Sequence, residues 1–258
     1  MNKVISILLT LLSISHAQAQ PEINFDHAAL INYTVKVGDT WQKIATSHLK
    51  DPKNISQVKH LNSVTNLASP IPNRTLRIPK SLVKEMAAQA RVIHLACAVP
   101  VRFIGLNQAL EIGSVVHEGA VIDVPADCNI ALLLEDGSTI RLPSSATLVI
   151  TRLRKNTIEP TAEVKLDLAR GRVDLGVFKG RTSTTPFDVR TPLSVMGVRG
   201  TEFRAGYAPE AGLARVEVLS GVVQTQGIAD KQSVNITKGH GVPINASGTR
   251  LATEQLLP

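Results

Sequence analysis

From residue 91 onward, the chain is a series of short apolar runs in which β-branched residues alternate with polar ones. Such alternation, interrupted by glycine, is typical of β-strands joined by turns. Each of the runs SVVHEGAVIDVP, IALLLEDGSTIRLP and ARVEVLSGVVQTQG predicts two strands about a glycine turn. The pattern L-x-L-x-x-G-x-V recurs only loosely and at irregular spacing, which does not favour a strict repeat protein. We therefore expect an all-β domain at residues 91–251, folded as a sandwich or as an irregular solenoid-like stack.

The first twenty residues have the pattern of a cleaved secretory signal. Lys3 supplies a positive charge, residues 4–14 are apolar, and Ala17-Gln-Ala19 has the small-x-small pattern that signal peptidase prefers. The apolar run is too short to span a bilayer as a helix; an uncleaved anchor is the alternative. We expect a signal peptide at residues 1–19, with Gln20 as the first mature residue and no membrane span after cleavage.

Charge and cysteine content narrow the class of protein. The net charge of +7 is a moderate basic bias, spread along the chain apart from Arg152-Leu-Arg-Lys155. A nucleic-acid-binding protein would concentrate this charge and add stacking aromatics, whereas aromatics make up only 3% of the residues. Weak attraction to an anionic envelope polymer and an ordinary solvated surface remain as alternatives. Cys97 and Cys128 would form a disulfide worth about 3 kcal/mol, or stay as two buried thiols.

Residues 33–80 predict the order strand, helix, helix, strand. Alternation from Tyr33 to Val37 indicates the first strand, and Asp39 stands where a helix N-cap belongs. The pair Asp51-Pro52 is expected to end the first helix, because the residue before proline avoids the α region. A second short helix and a closing strand follow, with apolar residues at Ile55, Val58, Leu61, Leu76 and Ile78.

This segment resembles a LysM module. The matching residues are Tyr33-Thr-Val35, Gly38-Asp-Thr40, Ile44-Ala45, Leu61-Asn62, Ile71 and Leu76-Arg-Ile-Pro79. The resemblance implies binding of N-acetylglucosamine-containing glycans, chiefly peptidoglycan, in a groove between two loops. Carried over, the groove has one wall at Gly38, Asp39, Thr40 and Trp41, and the other at Ser69, Pro70 and Ile71.

One departure from the LysM pattern concerns the turn before the last strand. The family usually has a glycine there, where this chain has Pro72-Asn73-Arg74. Asparagine tolerates a left-handed turn better than most residues, so the fold is expected to survive. The alternative is a LysM fold with little glycan binding, in which Asp39 is only a cap and Trp41 only part of the core.

The run TPLSVMGVRGTEFRAG at residues 191–206 contains charged and polar residues, but no arrangement of nucleophile, base or metal ligands. Thr191-Pro192 predicts a turn, and Gly197 and Gly200 predict bulges or points of close backbone approach. Beyond them we expect Thr201, Phe203 and Ala205 on one side of a strand and Glu202 and Arg204 on the other. Arg199 would either pair with Glu202 or be solvated.

These residues resemble the periplasmic FecR domain over roughly residues 112–248. The resemblance rests on Asp136-Gly-Ser138, Thr191-Pro192, Val198-Arg199-Gly200-Thr201, Phe203, Glu217-Val-Leu-Ser-Gly-Val222 and Lys238-Gly239. FecR is a regulator with a cytoplasmic anti-sigma part, a membrane helix and a periplasmic domain that senses an outer-membrane transporter. This chain is expected to have neither of the first two parts. What the resemblance implies is a β domain that contacts a protein or a ligand.

The expected fold class is α+β, with a small βααβ LysM module followed by an all-β FecR-type domain. The expected division is a signal peptide (1–19), an N-terminal segment (20–32), a LysM module (33–80), a helical linker rich in helix formers (81–90), the β domain (91–251) and a tail (252–258). The function expected is that of a non-enzymatic envelope protein, in the periplasm or released outside, that binds peptidoglycan and an unidentified envelope protein. No cofactor, metal or catalytic residue is expected. A wall-remodelling enzyme and an accessory sensor of a transport or signalling complex are the alternatives.

Overall fold

The computed structural model describes residues 30–64, 67–97 and 110–256. The signal-peptide prediction at residues 1–19 lies outside these ranges. Within them, a small βααβ unit is followed by a large all-β region, so the α+β fold class predicted from the sequence is confirmed.

The N-terminal unit pairs two antiparallel strands and packs two helices against them. The predicted order of elements is confirmed, although the first strand begins before residue 33. In chain order, the elements are β1 (Leu30–Thr34), α1 (Trp41–His48), a 3-10 helix (Pro52–Asn54), α2 (Ile55–Leu61) and β2 (Thr75–Pro79). Burial of one face of each element stabilises the unit, and its buried core comprises Ile31, Tyr33, Val35, Trp41, Ile44, Ala45, Leu49, Val58, Val64, Leu76, Ile78 and Val83.

The N-cap of α1 differs from the predicted residue. Thr40 is the cap, and its side-chain oxygen accepts a hydrogen bond from the Lys43 N–H at 3.1 Å. Asp39 instead accepts hydrogen bonds from the Tyr33 hydroxyl at 2.6 Å and from the Lys36 N–H at 2.8 Å. Threonine and aspartate are both good caps, so the nearby phenol of Tyr33 engages Asp39 and leaves the cap position to Thr40.

The end of α1 also lies earlier than predicted. The helix stops at His48, because Leu49 is already extended. Asp51 is extended as well, as expected of a residue before proline, but its carboxylate caps the following 3-10 helix by accepting from the Lys53 N–H at 2.9 Å.

Residues 81–90 do not form the predicted helical linker. They contain most of a 3-10 helix (Lys80–Leu82), β3 (Glu85–Ala87) and the first residue of β4 (Ala90–Ala96). Alternate residues are buried towards the end of this segment, which is the period of a strand and not of a helix. Pairing of β3 with a strand of the β domain therefore overrides a helix propensity that is only a weak tendency.

The remaining strands form one large β domain. In chain order, they are β5 (Val115–Val116), β6 (Val121–Asp123), β7 (Asn129–Leu134), β8 (Thr139–Leu142), β9 (Thr147–Asn156), β10 (Ala162–Gly176), β11 (Phe187–Thr191), β12 (Ser194–Val198), β13 (Glu202–Ala208), β14 (Leu213–Ser220), β15 (Val222–Gly227), β16 (Val234–Thr237), β17 (His240–Ile244) and β18 (Glu254–Gln255). The last of these pairs with β17, so the predicted tail supplies an edge strand.

The long strand β10 belongs to two sheets. Its first part, up to Arg170, lies between antiparallel β9 and parallel β11, and its second part, from Gly171, lies between β8 and β13. Gly171 lies where β10 passes from one sheet to the other, and its φ is +81°. A Cβ at this position would lie 2.6 Å from the Ala146 Cα, so a residue without a side chain is required.

Each part of β10 continues into a separate set of neighbours. One sheet has the order β16-β15-β12-β11-β10-β9, with β3 and β6 beside β9, and the other has the order β18-β17-β14-β13-β10-β8-β7-β4-β5. Apolar side chains from both sheets form a single buried core that includes Phe187 and Phe203, neither of which is exposed. Two sheets around one core correspond to a sandwich, and not to a solenoid-like stack.

The LysM-like unit packs directly against the β domain. Ile158, in the turn after β9, packs against the core of the small unit. The Lys80 ammonium lies 2.8 Å from the Glu163 carboxylate, and His48 Nδ1 is 3.0 Å from the Thr157 hydroxyl. The two units therefore share a contact surface and are not joined by an open linker.

A disulfide joins Cys97, which follows β4, to Cys128, which precedes β7. These two strands are antiparallel neighbours, and their pairing extends to Ala96 and Asn129, directly beside the two cysteines. The bridge therefore closes the ends of two strands that are already paired.

Candidate functional site

The first predicted groove wall, residues 38–41, forms the loop into α1. Gly38 and Thr40 are exposed, and no atom lies within 4 Å of the position that a Cβ on Gly38 would take. Trp41 is only 8% exposed, and its Nε1 donates to the Leu67 carbonyl at 3.0 Å. Trp41 is therefore a core residue that holds the two loops together, and not an exposed stacking surface.

The Asp39 carboxylate forms its contacts with residues in and beside its own loop. It is 3% exposed and lies 3.3 Å from the Lys43 ammonium. Burial alone would raise the pKa of Asp39, but hydrogen bonds from Tyr33, the Lys36 N–H and Lys43 outweigh burial and hold this pKa below its ordinary value. Burial and the bond to Asp39 raise the pKa of Tyr33 to about 12. Asp39 thus stays ionised and stabilises the conformation of this loop.

The second predicted wall, residues 69–71, leads towards β2. Pro70 is buried, whereas Ser69 is exposed and Ile71 is 49% exposed. Asn73 stands near the family's glycine position and has φ +64°, a left-handed conformation that asparagine tolerates. Its N–H donates to the Val35 carbonyl at 2.8 Å, so this turn is tied to the segment that connects β1 to the first wall.

Positive charge is concentrated in the small unit, contrary to the even spread expected. Residues 33–79 contain seven Lys or Arg and two Asp, which gives a net charge of +5 out of +7 for the whole chain.

The basic run Arg152-Leu-Arg-Lys155 is, by contrast, neutralised. Its three cations form ion pairs with Glu85, Glu118 and Glu135. The hydrogen bond from Arg154, against some opposing burial, lowers the pKa of Glu118 to about 2. The run therefore stabilises contacts between strands and offers little free positive charge.

The turn predicted at Thr191 joins β11 to β12. The Thr191 hydroxyl oxygen accepts hydrogen bonds from the N–H groups of Leu193 and Ser194 at 3.2 and 3.0 Å. The bulge predicted at Gly197 is not formed. Gly197 lies within regular strand pairing, with Asp188 on one side and Gln224 on the other.

Gly200 lies at a close backbone approach. It has φ +64°, and a Cβ on it would lie 2.9 Å from the Lys179 Cα. Beyond it, Thr201 and Phe203 are buried and Glu202 is exposed. The alternative pairing of Arg199 with Glu202 is not formed; Arg199 instead donates through Nε to the main-chain carbonyl of residue 181 at 3.0 Å.

Sequence reasoning missed Arg181, which is 1% exposed. Its guanidinium forms an ion pair with Asp136, whose side chain is 2% exposed, and lies 5.2 Å from the centre of the Phe187 ring. Burial lowers the pKa of Arg181, although Asp136 and Asp188 act in the opposite direction. The residue connects the Asp136 hairpin to the Arg199 segment, and no local spacing in the sequence indicates such a contact.

A groove of about 400 Å³ lies beside Gly200, where β10 and β14 end and β8 and β13 begin. Phe178 lines it and is 46% exposed. A Cβ on Gly180 would lie 2.4 Å from the Phe178 ring, so the glycine allows the ring to rest against the backbone. Lys179 and Glu202 also line the groove. Its size and mixed lining suit contact with a ligand or with a protein side chain.

Two remaining properties of residues 30–64, 67–97 and 110–256 concern metal ions and membranes. In these ranges, no group of three or more His, Cys, Asp or Glu side chains is placed to hold a metal ion. No helix in the same ranges has the length and apolar character needed to cross a membrane.

Comparison with known proteins identifies two families. Residues 33–79 match the family model described as LysM domain, and residues 120–224 match the one described as FecR protein. Two crystal structures of a protein assigned as an anti-sigma factor from Parabacteroides distasonis ATCC 8503 are similar at 18% and 20% identity, with TM-scores of 0.44 and 0.43. Each similarity covers 53% of this chain and 59% of the other. No curated protein matches the chain.

The two matches agree with the architecture. The LysM match runs through β1 to β2, and the FecR match lies inside the β domain, which extends beyond it at both ends. LysM domains bind N-acetylglucosamine-containing glycans such as peptidoglycan, FecR-like domains belong to signalling components, and both are typical of envelope proteins. The chain contains a LysM domain followed by a domain of the FecR type.

Proposed function

We propose that this is a non-enzymatic protein of the cell envelope that binds peptidoglycan through residues 38–41 and 69–71 of its LysM domain. The observation that supports this most directly is that both loops offer exposed residues, Gly38 and Thr40 in one and Ser69 and Ile71 in the other, while hydrogen bonds hold the loops in place. Trp41 bonds to the carbonyl of Leu67, and Val35 pairs with the turn at Asn73. Because the loops are organised in advance, little conformational entropy is lost when a glycan binds.

Two apolar side chains flank the proposed site and are available to the ligand. Val37 is 84% exposed and Ile71 is 49% exposed. Contact with the apolar face of a sugar ring would bury part of this surface, while the main-chain groups of the loops would bond to the N-acetyl and hydroxyl groups. Trp41 and Asp39 support the site without contacting the glycan through their side chains.

Sedimentation with purified sacculi tests this proposal. The full-length mature protein is expected to pellet with sacculi, as an established LysM protein does in parallel. Ile71→Ser is expected to weaken binding about fivefold, because about 1 kcal/mol of apolar contact is lost. Ile112→Ser is the matched control, since Ile112 is 66% exposed on the β domain. A wild-type protein that stays in the supernatant would refute the glycan assignment.

The proposed location is the periplasm, with release outside the cell as the alternative. The proposal rests on the signal-like pattern at residues 1–19 and on the envelope setting of both matched families. N-terminal sequencing of the exported protein should begin at Gln20, and a start at Met1 would contradict cleavage.

The β domain is proposed to contact an envelope protein or ligand, in the manner of a signalling component and not of an enzyme. The FecR match supports a regulatory role, and the groove at Phe178 supplies an exposed aromatic surface. Crosslinking of the full chain in envelope extract should yield a defined product that Phe178→Ser reduces and Leu213→Ser, at a residue 36% exposed elsewhere, does not. Release of soluble fragments from incubated sacculi would contradict the non-enzymatic assignment.

A further inference from the structure

The groove beside Gly200 has its floor on the outer face of one sheet. Gly176 pairs with Thr139 on one side and with Glu202 on the other, and all three residues line the groove. Leu175, next to Gly176 in sequence, is buried in the core, so Gly176 and its two neighbours face away from it. Because Gly176 has no side chain, the surface of the sheet is depressed at this point.

Phe178 supplies an apolar surface in this groove. It is 46% exposed, and its N–H donates to the Ser138 hydroxyl at 3.0 Å, which fixes the backbone that carries the ring. Leu133, which pairs with Thr139 at the edge of the groove, is 37% exposed. Aromatic residues are enriched in the contact surfaces of protein complexes. An exposed ring on a fixed backbone therefore favours contact with another protein surface.

Two unpaired charges of opposite sign accompany Phe178. Lys179 and Glu202 are both exposed, and both line the groove. On the same sheet, Arg204 forms an ion pair with Asp174, but among the residues that the structure describes, neither Lys179 nor Glu202 forms one. A surface with one free cation, one free anion and an exposed ring carries the complement of each of its own features.

We propose that the β domain forms a symmetric dimer through this groove, with a second copy of the chain as its occupant. A two-fold axis brings the same surface to both sides of a contact, so Lys179 of each copy faces Glu202 of the other, and the two Phe178 rings meet between them. A different partner would need a matching cation and anion of its own, whereas a second copy already has both. This inference rests on the proposed function and names the partner at the Phe178 groove.

The proposed dimer leaves the LysM domain accessible. Glu163, near the start of β10, contacts Lys80 directly after the LysM strands, whereas Gly176, at the other end of this 15-residue strand, lies in the groove. The dimer contact and the LysM contact are therefore at opposite ends of β10. A dimer carries two LysM domains, and two linked binding modules raise the apparent affinity for a repetitive polymer without any new contact.

Sedimentation velocity of the full mature chain, at concentrations from micromolar to millimolar, tests for the dimer. The wild type is expected to shift from monomer to dimer as its concentration rises. Lys179→Glu or Glu202→Lys places like charges together twice in a two-fold contact, so each should weaken dimerisation about tenfold or more. The matched controls Lys231→Glu and Glu210→Lys, at exposed positions elsewhere, should dimerise as the wild type does.

Two combinations distinguish a two-fold contact from other modes of association. Lys179→Glu/Glu202→Lys in one chain exchanges the two charges and should restore the dimer. An equal mixture of the two single variants should form a mixed dimer, because every cation then meets an anion on the other copy. If neither combination associates while thermal unfolding of each variant is normal, these charges do not form the contact and the inference is wrong.

Phe178→Ser separates the dimer from the proposed contact with a different envelope component. It should weaken the dimer, and the product that it reduces in crosslinked envelope extract should have the mass of two chains. A wild type that stays monomeric at every concentration, with Phe178→Ser still reducing a product of another mass, would overturn the dimer and leave the proposed function standing. No effect of Phe178→Ser on either measurement would overturn both.

Discussion

Substitution of Gly200 by valine should destabilise the β domain for two separable reasons. The first is backbone conformation: at φ +64°, a residue with a Cβ costs about 1–2 kcal/mol. The second is contact: the Cβ would lie 2.9 Å from the Lys179 Cα, and relief of such overpacking costs about 1–3 kcal/mol. Valine also restricts the unfolded chain more than glycine does, which offsets about 0.4–1 kcal/mol of this destabilisation. The net loss is about 3 kcal/mol, or about 6–12 °C in Tm for a domain of this size.

Thermal unfolding of the full mature chain measures this loss, because the LysM domain and the β domain share contacts. Gly239→Val is the matched control: Gly239 has φ +79°, and no atom lies within 4 Å of its Cβ position. It should show the conformational cost alone, about 1 kcal/mol after the same offset. Glu202→Gln, at an exposed side chain, should leave Tm nearly unchanged. If Gly200→Val were no worse than Gly239→Val, the approach to Lys179 would not be what requires glycine.

Three further predictions follow from buried or partly buried groups. Asp136→Asn removes the carboxylate that pairs with the buried Arg181 guanidinium and should lower the free energy of unfolding by about 3–5 kcal/mol in urea titration; the double variant with Arg181→Met should lose less. Burial, together with nearby lysines, lowers the pKa of His48 below 6.5, so the unfolded chain binds its proton more readily. Stability is then complete above about pH 6.5 and falls as the pH drops towards the folded-state pKa; His48→Gln should weaken this dependence between pH 7.5 and 5. Reduction of the bridge between Cys97 and Cys128, 31 residues apart, should cost about 3–4 kcal/mol, whereas the double serine variant should be insensitive to reductant.

The elements of the LysM domain were predictable because each depends on residues close to it in sequence. Helical spacing after Trp41 and alternation about Tyr33 follow from periodicity alone. The choice between Thr40 and Asp39 as the cap was not predictable, because both are good caps and the contact with Tyr33 decides between them. The burial of Trp41 likewise depends on Leu67, which lies 26 residues away.

The misassigned parts depend on contacts between distant segments. The supposed linker forms β3 because β9 is available to pair with Glu85 to Ala87, and the residues themselves favour a helix. The partner of Arg199 is the main chain of a segment 18 residues earlier, and the ion pair of Asp136 with Arg181 spans 45 residues. Only the folded topology brings these groups together.

The sharing of β10 by two sheets has a consequence for how this domain tolerates changes in length. Successive side chains on a strand point to opposite faces, so a one-residue insertion near the start of β10 would reverse the orientation of every residue after it. In a strand that serves one sheet, such an error is local. Here it would misplace inward-facing residues from Leu166 to Leu175 against both sets of neighbours at once. Variation in length among related chains should therefore be confined to the connections between other strands.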